Sequence, residues 1–118
     1  MADHAQFLNK ELYVYFSTPM KPREEVAKML SEHLEYQVTL EKKGIMFGAG
    51  PMFEKGADAP HRGMIIVRAN SFEEAEKIAA ADPMHTSGMR DYTLERWHMN
   101  EGSVTLKVTF SDQAANII

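Results

Sequence analysis

Hydrophobic positions along the chain form short apolar runs that alternate with two segments of helical periodicity. Residues 12–16 and 63–69 are continuous apolar runs, which predict strands covered on both faces. Residues 45–50 and 92–98 predict two further strands. Residues 104–110 alternate strictly between apolar and polar side chains, which predicts a half-exposed strand before a polar tail.

Two helices are predicted between these strands. The first begins at Pro22 and runs to Gly44, because proline is tolerated in a first helical turn and glycine adopts the left-handed conformation that ends many helices. The second covers residues 72–81 and begins with a serine and a glutamate at the spacing of a capping box. Pro83 ends this helix, and residues 84–91 form a turn or a short extra helix.

The predicted order of elements is βαββαβ with one added strand at the C-terminus. This split βαβ pattern is typical of a ferredoxin-like α+β fold, in which two helices cover one face of an antiparallel sheet. The other face also needs cover, because the two continuous apolar strands are too hydrophobic to face water. We therefore expect a homodimer or higher homo-oligomer in which two sheets pack together.

Length and composition fit one domain. The chain has 118 residues and is 44% hydrophobic, which is enough for one core. We expect a single domain over residues 1–118, with an N-terminal arm at residues 1–11 and a C-terminal strand and tail at residues 102–118. The absence of cysteine excludes disulfides and thiolate chemistry and fits a reducing cytoplasm.

Charge and hydropathy narrow the possible partners. The 13 lysines and arginines against 17 aspartates and glutamates give a net charge of −4 without a basic block, so nucleic acid has no electrostatic support as a partner. The first residues lack the pattern of a signal peptide, and no apolar run approaches about 18 residues. We expect a soluble cytoplasmic protein that does not contact a membrane.

Two polar side chains lie one turn apart on the apolar side of the first helix, namely His33 and Gln37. The apolar side itself is defined by Val26, Met29, Leu30, Leu34 and Leu40. An imidazole or amide there needs a hydrogen-bond partner, because leaving it buried and unpaired costs about 1–3 kcal/mol. Asp82 is equally out of place on the inward side at the end of the second helix. Each has a structural interpretation: His33 bonds a backbone carbonyl, or Asp82 bonds the turn that follows it.

The functional interpretation joins these two residues, because a histidine oriented by a carboxylate is a general base near neutral pH. Gly48 and Gly50 leave backbone uncovered in the second strand, as a bulge or a close ligand approach requires. His85, three residues beyond Asp82, is placed to enter the same pocket. The other histidines lack metal-ligand spacing, so no metal site is expected. Three arginines either bind an acidic substrate or are solvated: Arg68, Arg90 and Arg96.

Three motifs follow one another along the chain: His33-Leu34, Gly48-Ala49-Gly50-Pro51-Met52 and Ala81-Asp82-Pro83. With these motifs, residues 12–97 resemble the YCII-related proteins of the dimeric α/β-barrel superfamily. The resemblance implies a ferredoxin-like homodimer with a His–Asp pair in a pocket, carried here by His33 and Asp82. The family includes a dehydrochlorinase that acts on a chlorinated hydroxyhydroquinone, and muconolactone isomerases are structural relatives.

We interpret the chain as a cofactor-independent lyase or isomerase in which His33 moves a proton on a small oxygenated ring compound and Asp82 fixes the imidazole. The expected substrate-binding residues are Gln37, Gly50, Met52 and His85. Two alternatives stay open, a small-molecule-binding protein without catalysis and a cofactor-free monooxygenase. A pH–rate profile separates catalysis from binding, and oxygen consumption would identify the monooxygenase.

Overall fold

The structure is a computed structural model that describes residues 7–118. It divides into two compact units, one formed by segments from the two chain ends and the other by Glu11–Trp97. The predicted N-terminal arm lies largely outside the described residues, and its last two positions belong to the first strand, which begins at Lys10. The single domain expected over residues 1–118 stays a prediction.

Within the described residues the sheet and its helices follow the predicted order. The elements are β1 (Lys10–Pro19), α1 (Arg23–Ala27), α2 (Leu30–Lys42), β2 (Met46–Met52), β3 (Arg62–Val67), α3 (Phe72–Ala80), α4 (Pro83–Thr86), β4 (Arg90–Met99), β5 (Leu106–Thr109) and β6 (Ala114–Ile117). The main sheet has the strand order β2-β3-β1-β4, and β3 runs antiparallel to both β1 and β2. This topology confirms the predicted ferredoxin-like α+β fold. No helix in residues 7–118 is long and apolar enough to cross a membrane.

The core lies between the sheet and α3. Its buried members come from two central strands and one helix: Tyr13, Tyr15, Ile65, Val67, Ala75 and Ala79. The Tyr36 hydroxyl donates a hydrogen bond to the Ile78 carbonyl at 2.6 Å, which ties α2 to α3. Four consecutive residues of β1 are buried, so the prediction that its apolar run is covered on both faces is confirmed.

The first predicted helix is interrupted, so the expectation of one continuous helix is wrong. The amides of Lys28 and Met29 each bond the carbonyl three residues earlier, and these tight turns separate α1 from α2. The apolar side is also less buried than predicted, since Leu30 is 44% exposed and Leu34 is 49% exposed. Gly44 ends α2 as predicted, with a φ of 75°.

The second strand contains the predicted irregularity. Met46 pairs with Val67 and Gly48 pairs with Ile66, so Phe47 is an extra residue in a β-bulge. The strand extends to Met52, two residues beyond the predicted end. It lies at the edge of the sheet, where a proline is tolerated.

The C-terminal segment forms a hairpin, which corrects the prediction of one strand and a polar tail. β5 is shorter than the expected strand and pairs antiparallel with β6, whose residues lie in the predicted tail. The Asp112 carboxylate accepts hydrogen bonds from the Thr109 hydroxyl and the Ala114 amide, which fixes the turn. The apolar side chains of β5 are exposed in the chain, so the predicted burial of one of its faces does not occur within it.

Candidate active site

A buried histidine–aspartate pair joins α2 to the segment between α3 and α4. The His33 Nδ1 lies 2.9 Å from Oδ1 and 2.8 Å from Oδ2 of Asp82, and both side chains are buried. Because a carboxylate accepts hydrogen bonds, Nδ1 carries the proton that His33 donates to it. The electron pair of a neutral His33 is therefore on Nε2.

Asp82 is held in place by the backbone as well as by the imidazole. It is the N-cap of α4, and its Oδ1 accepts a hydrogen bond from the Met84 amide at 2.9 Å. Pro83 follows at the first helical position, where its fixed φ favours the helix start. The Met84 amide therefore orients the carboxylate independently of His33. Asp82 makes both contacts that the sequence suggested, one with the turn that follows it and one with His33.

A cavity of about 290 Å³ lies beside the pair. From α2 it is lined by His33 and Gln37, with Leu30 and Leu34, and from β2 it is lined by Gly50 and Pro51. The exposed leucines of α2 are therefore cavity walls. A Cβ built on Gly50 would have no other atom within 4 Å, so the space beside this residue is open. The structure brings four of the predicted site residues together: His33, Gln37 and Gly50 line the cavity, and Asp82 is bonded to His33.

Met52 and His85 lie outside this lining. Met52 instead lines a second cavity of about 300 Å³ that follows β2. The His85 Nδ1 is 2.6 Å from the Ala79 carbonyl and its Nε2 is 2.7 Å from the Ser17 hydroxyl. Since a carbonyl only accepts, Nδ1 donates to Ala79 and Nε2 accepts from Ser17. Both ring nitrogens therefore have protein partners.

Two arginines line the cavity from the sheet, Arg62 at the start of β3 and Arg90 at the start of β4. The sequence identified Arg90 as a candidate but assigned Arg62 to an exposed connection. The sequence did contain one indication that Arg62 belongs to the sheet, because this residue directly precedes the apolar run of β3. Arg68 is elsewhere, donating to the carbonyls of Gly44 and Met46.

The surroundings of the pair are electrostatically unusual. Burial lowers the pKa of Arg90, and the nearby Asp82 charge acts in the opposite direction. Burial, with the Asp82 charge, raises the pKa of Tyr15, whose hydroxyl has no hydrogen-bond partner within the described residues. Among residues 7–118, no group of three or more histidine, cysteine, aspartate and glutamate side chains is placed to hold a metal ion.

Comparisons with known proteins agree with this architecture. The uncharacterized protein YjpA of Bacillus subtilis (strain 168) is 29% identical over 92 residues, which span 76% of this chain and 100% of YjpA. The structure of the 5-chloro-2-hydroxyhydroquinone dehydrochlorinase TftG from Burkholderia phenoliruptrix AC1100, in complex with 2,5-dihydroxybenzoquinone, matches with a TM-score of 0.56. That match has 18% identity and covers 73% of this chain and 92% of TftG, so it shows a shared fold.

The family is shown by the sequence itself. The model of the YCII-related domain matches residues 11–98, which hold both members of the buried pair and every residue that lines the cavity beside it. This span is well over half of the chain and contains the complete main sheet apart from its outermost residues. The chain therefore belongs to the YCII-related family.

Proposed function

We propose that this protein is a cofactor-independent lyase or isomerase that moves a proton on a small oxygenated ring compound. The observation that carries the proposal is that His33 lines a cavity while its Nδ1 is bonded to the buried carboxylate of Asp82. A histidine whose Nδ1 is held by a carboxylate has its other nitrogen ready to act as a general base. Neither a cofactor nor a thiol is needed for this step.

In the proposed reaction, Nε2 of His33 takes a proton from a carbon or hydroxyl of the substrate, and the electron pair of the broken bond moves toward a ring oxygen. Asp82 stabilises the imidazolium that forms. The electron pair then returns in one of two ways. In an isomerase, His33 returns the proton at another carbon. In a lyase, the electrons form a double bond and expel a leaving group such as chloride, and His33 then releases its proton to solvent, which restores the base.

The cavity favours a small substrate with an apolar ring and polar edges. Leu30 and Leu34 provide apolar wall, and the Gln37 amide provides one donor and one acceptor for ring oxygens. TftG, which shares this fold, is a dehydrochlorinase of a chlorinated hydroxyhydroquinone. We therefore choose chlorinated hydroxyhydroquinones, with muconolactones, as the first compounds to test.

We place this activity in a cytoplasmic homodimer or higher homo-oligomer. The absence of cysteine fits a reducing compartment, and the exposed apolar residues of the C-terminal hairpin fit an interface with a second copy. The proposal includes no nucleic-acid partner, because the net charge is −4.

The decisive experiment screens these compounds by thermal shift and then measures turnover of any that bind. His33→Ala is expected to lower kcat by about 10²–10⁴-fold, because it removes the general base. The matched control is His61→Ala, because His61 is exposed and its Nδ1 bonds the Met52 carbonyl outside the cavity lining. Light scattering is expected to show the same oligomer for both variants.

Turnover by His33→Ala equal to that of the wild type would refute the proposal. Binding without turnover by the wild-type protein would identify the alternative, a small-molecule-binding protein. For an active protein, a loss of kcat/KM toward acidic pH is expected, because protonation of a histidine base removes its electron pair.

A further inference from the structure

The sheet side of the cavity carries two positive charges. Arg62 and Arg90 begin the two strands that flank β1, and Pro19, the last residue of β1, lines the cavity between them. Both residues therefore line one cavity from separate strands. The described residues that line it include no carboxylate, and the carboxylate beside His33, that of Asp82, is already bonded to His33 and to the Met84 amide.

Both arginines have donors that lack a partner within the described residues. The Nε atoms of Arg62 and Arg90 are buried, and neither makes a hydrogen bond there. Buried charged donors are nearly always paired, because an unpaired one loses its hydration without compensation. Both residues also line the cavity, so a ligand there that supplies acceptors compensates their positive charge.

The guanidinium of Arg62 lies over an aromatic ring. Its Cζ is 4.3 Å from the centroid of the Phe16 ring. A guanidinium has five N–H donors, so a contact with the face of a ring leaves donors for another partner. A guanidinium presented in this way suits a planar, charged oxygen group.

We propose that Arg62 and Arg90 together bind an anionic oxygen of the substrate, either an ionised enol or phenol or a carboxylate. This inference rests on the proposed function and specifies its substrate class. The two arginines neutralise charge on the substrate when it binds, and they stabilise the further charge that reaches a ring oxygen when His33 removes a proton. Neutral ring compounds of the same size are poor ligands by this mechanism.

The test compares one anionic probe with its neutral counterpart. The anionic probe is 2,5-dihydroxybenzoquinone, the compound in the TftG complex, whose acidic enols are ionised at neutral pH. The neutral probe is its dimethyl ether, and muconolactone supplies a carboxylate. Isothermal titration calorimetry measures all three with the full-length wild-type protein and with Arg62→Gln, Arg90→Gln and the control Arg96→Gln, which changes an exposed arginine of β4.

The wild-type protein is expected to bind at least one of the two anions more tightly than the neutral ether. Arg62→Gln and Arg90→Gln are each expected to weaken binding of that anion by about tenfold to hundredfold, the range of one charge-assisted hydrogen bond. Arg96→Gln is expected to bind the anion as tightly as the wild type does. The affinity for the ether is expected to be the same in all variants. If the arginine variants weaken binding of only one of the two anions, that anion identifies whether the site selects an ionised enol or a carboxylate.

If Arg62→Gln does not fold, Arg62→Lys is the second variant, because it keeps a positive charge beside Phe16. It is expected to retain part of the affinity for the anion, because lysine keeps the charge and loses the planar set of donors. Equal affinity of the wild-type protein for anions and ether, or anion binding unaffected by every arginine variant, would overturn the inference. Anion binding that depends on the arginines without any turnover would refute the proposed function and leave the inference standing.

Discussion

At the scale of single residues, Asp82 is the N-cap of α4 and, in the proposed function, also the group that orients His33 as a general base. An N-cap needs only an acceptor, and aspartate and asparagine are nearly equal in that position. Orienting His33 and stabilising its charged form needs a negative charge. Because one carboxylate accepts from both Nδ1 of His33 and the Met84 amide, substitutions at this position separate its structural task from its chemical one.

Asp82→Asn and Asp82→Ala are expected to differ in stability and to share a loss of activity. Asparagine keeps the cap, so its free energy of unfolding is expected to stay within about 1 kcal/mol of the wild type. Alanine removes the cap and leaves the buried Nδ1 of His33 unpaired, so a loss of about 2–4 kcal/mol is expected. Both are expected to lower kcat by about 10²-fold or more. Urea denaturation and turnover measure these effects, and full activity of the asparagine variant would contradict the role of the charge.

His85 is expected to stabilise the fold without taking part in turnover. His85→Ala leaves the buried Ser17 hydroxyl without its partner and removes one of two hydrogen bonds to the Ala79 carbonyl, which also accepts from the Asp82 amide, so a loss of about 2–3 kcal/mol in the free energy of unfolding is expected. Ser17→Ala is expected to cost less, about 1 kcal/mol, and to leave kcat/KM unchanged. A selective loss of activity in His85→Ala at unchanged stability would instead place His85 in the site.

The sequence identified His33 and Asp82 because each is a polar residue at an inward position of a periodic segment. That signal depends on local geometry alone. It does not predict the orientation of the His85 side chain, because His85 lies in α4, a helix of four residues that the sequence predicted only as a turn or a short helix. The sequence also missed Arg62, because a charged residue at the end of a long connection is usually solvated, and its place beside the cavity depends on long-range pairing of β3 that no local pattern records.

At the scale of elements, the ends of the helices were more predictable than their continuity. Gly44 and Ser71 are local signals, and the structure confirms the positive φ of the glycine and the hydrogen bond from the Glu74 amide to Ser71. The break between α1 and α2 has no such signal. Two amides at the break bond carbonyls three residues earlier instead of four. Hydrophobic periodicity does not distinguish these two hydrogen-bond patterns.

The hydrogen bond between Tyr92 of β4 and Glu76 of α3 is expected to make the free energy of unfolding depend on pH in the alkaline range. Burial raises the pKa of Tyr92 to about 12, and the hydrogen bond to Glu76 acts in the same direction. An unfolded tyrosine ionises near pH 10. Between these values the unfolded chain loses a proton that the folded chain keeps, so the free energy of unfolding is expected to fall as pH rises through this window.

Tyr92→Phe removes this ionisation and is the variant that tests it. Denaturation by guanidinium at about pH 9 and about pH 11 is expected to show a smaller loss of stability for the variant than for the wild type. Glu76→Gln removes one of the causes of the shift and is expected to give an intermediate loss. If Tyr92→Phe and the wild type lost the same stability, another group would control the alkaline transition.

At the scale of the whole molecule, the C-terminal hairpin presents an apolar surface. Its register places Leu106 opposite Ile117 and Val108 opposite Ala115, so these side chains share one face. Leu106 is 62% exposed, Val108 is 54% exposed and Ile117 is 80% exposed. The sequence showed the alternation in β5 but not its partner, because β6 has four residues and does not alternate between apolar and polar side chains.

The hairpin is expected to stabilise the homo-oligomer by packing on, or pairing with, the sheet of a second copy. A two-stranded ribbon with an exposed apolar face is marginal alone, and its outer edges carry unpaired backbone groups. Packing across a two-fold axis buries the face and protects an edge in the same contact. A chain cut after Asn100 is therefore expected to dissociate at higher protein concentration than the full chain, or to precipitate.

Light scattering on the full chain and the truncated chain measures this directly. A full-length variant with Leu106→Ser and Val108→Ser keeps the hairpin backbone while removing its apolar face, so it is expected to weaken the oligomer in the same direction. Lys107→Gln, on the opposite face, is the matched control and is expected to leave assembly unchanged. A truncated chain that stays soluble and fully dimeric, with a serine variant that assembles like the wild type, would show that the hairpin pairs only with itself.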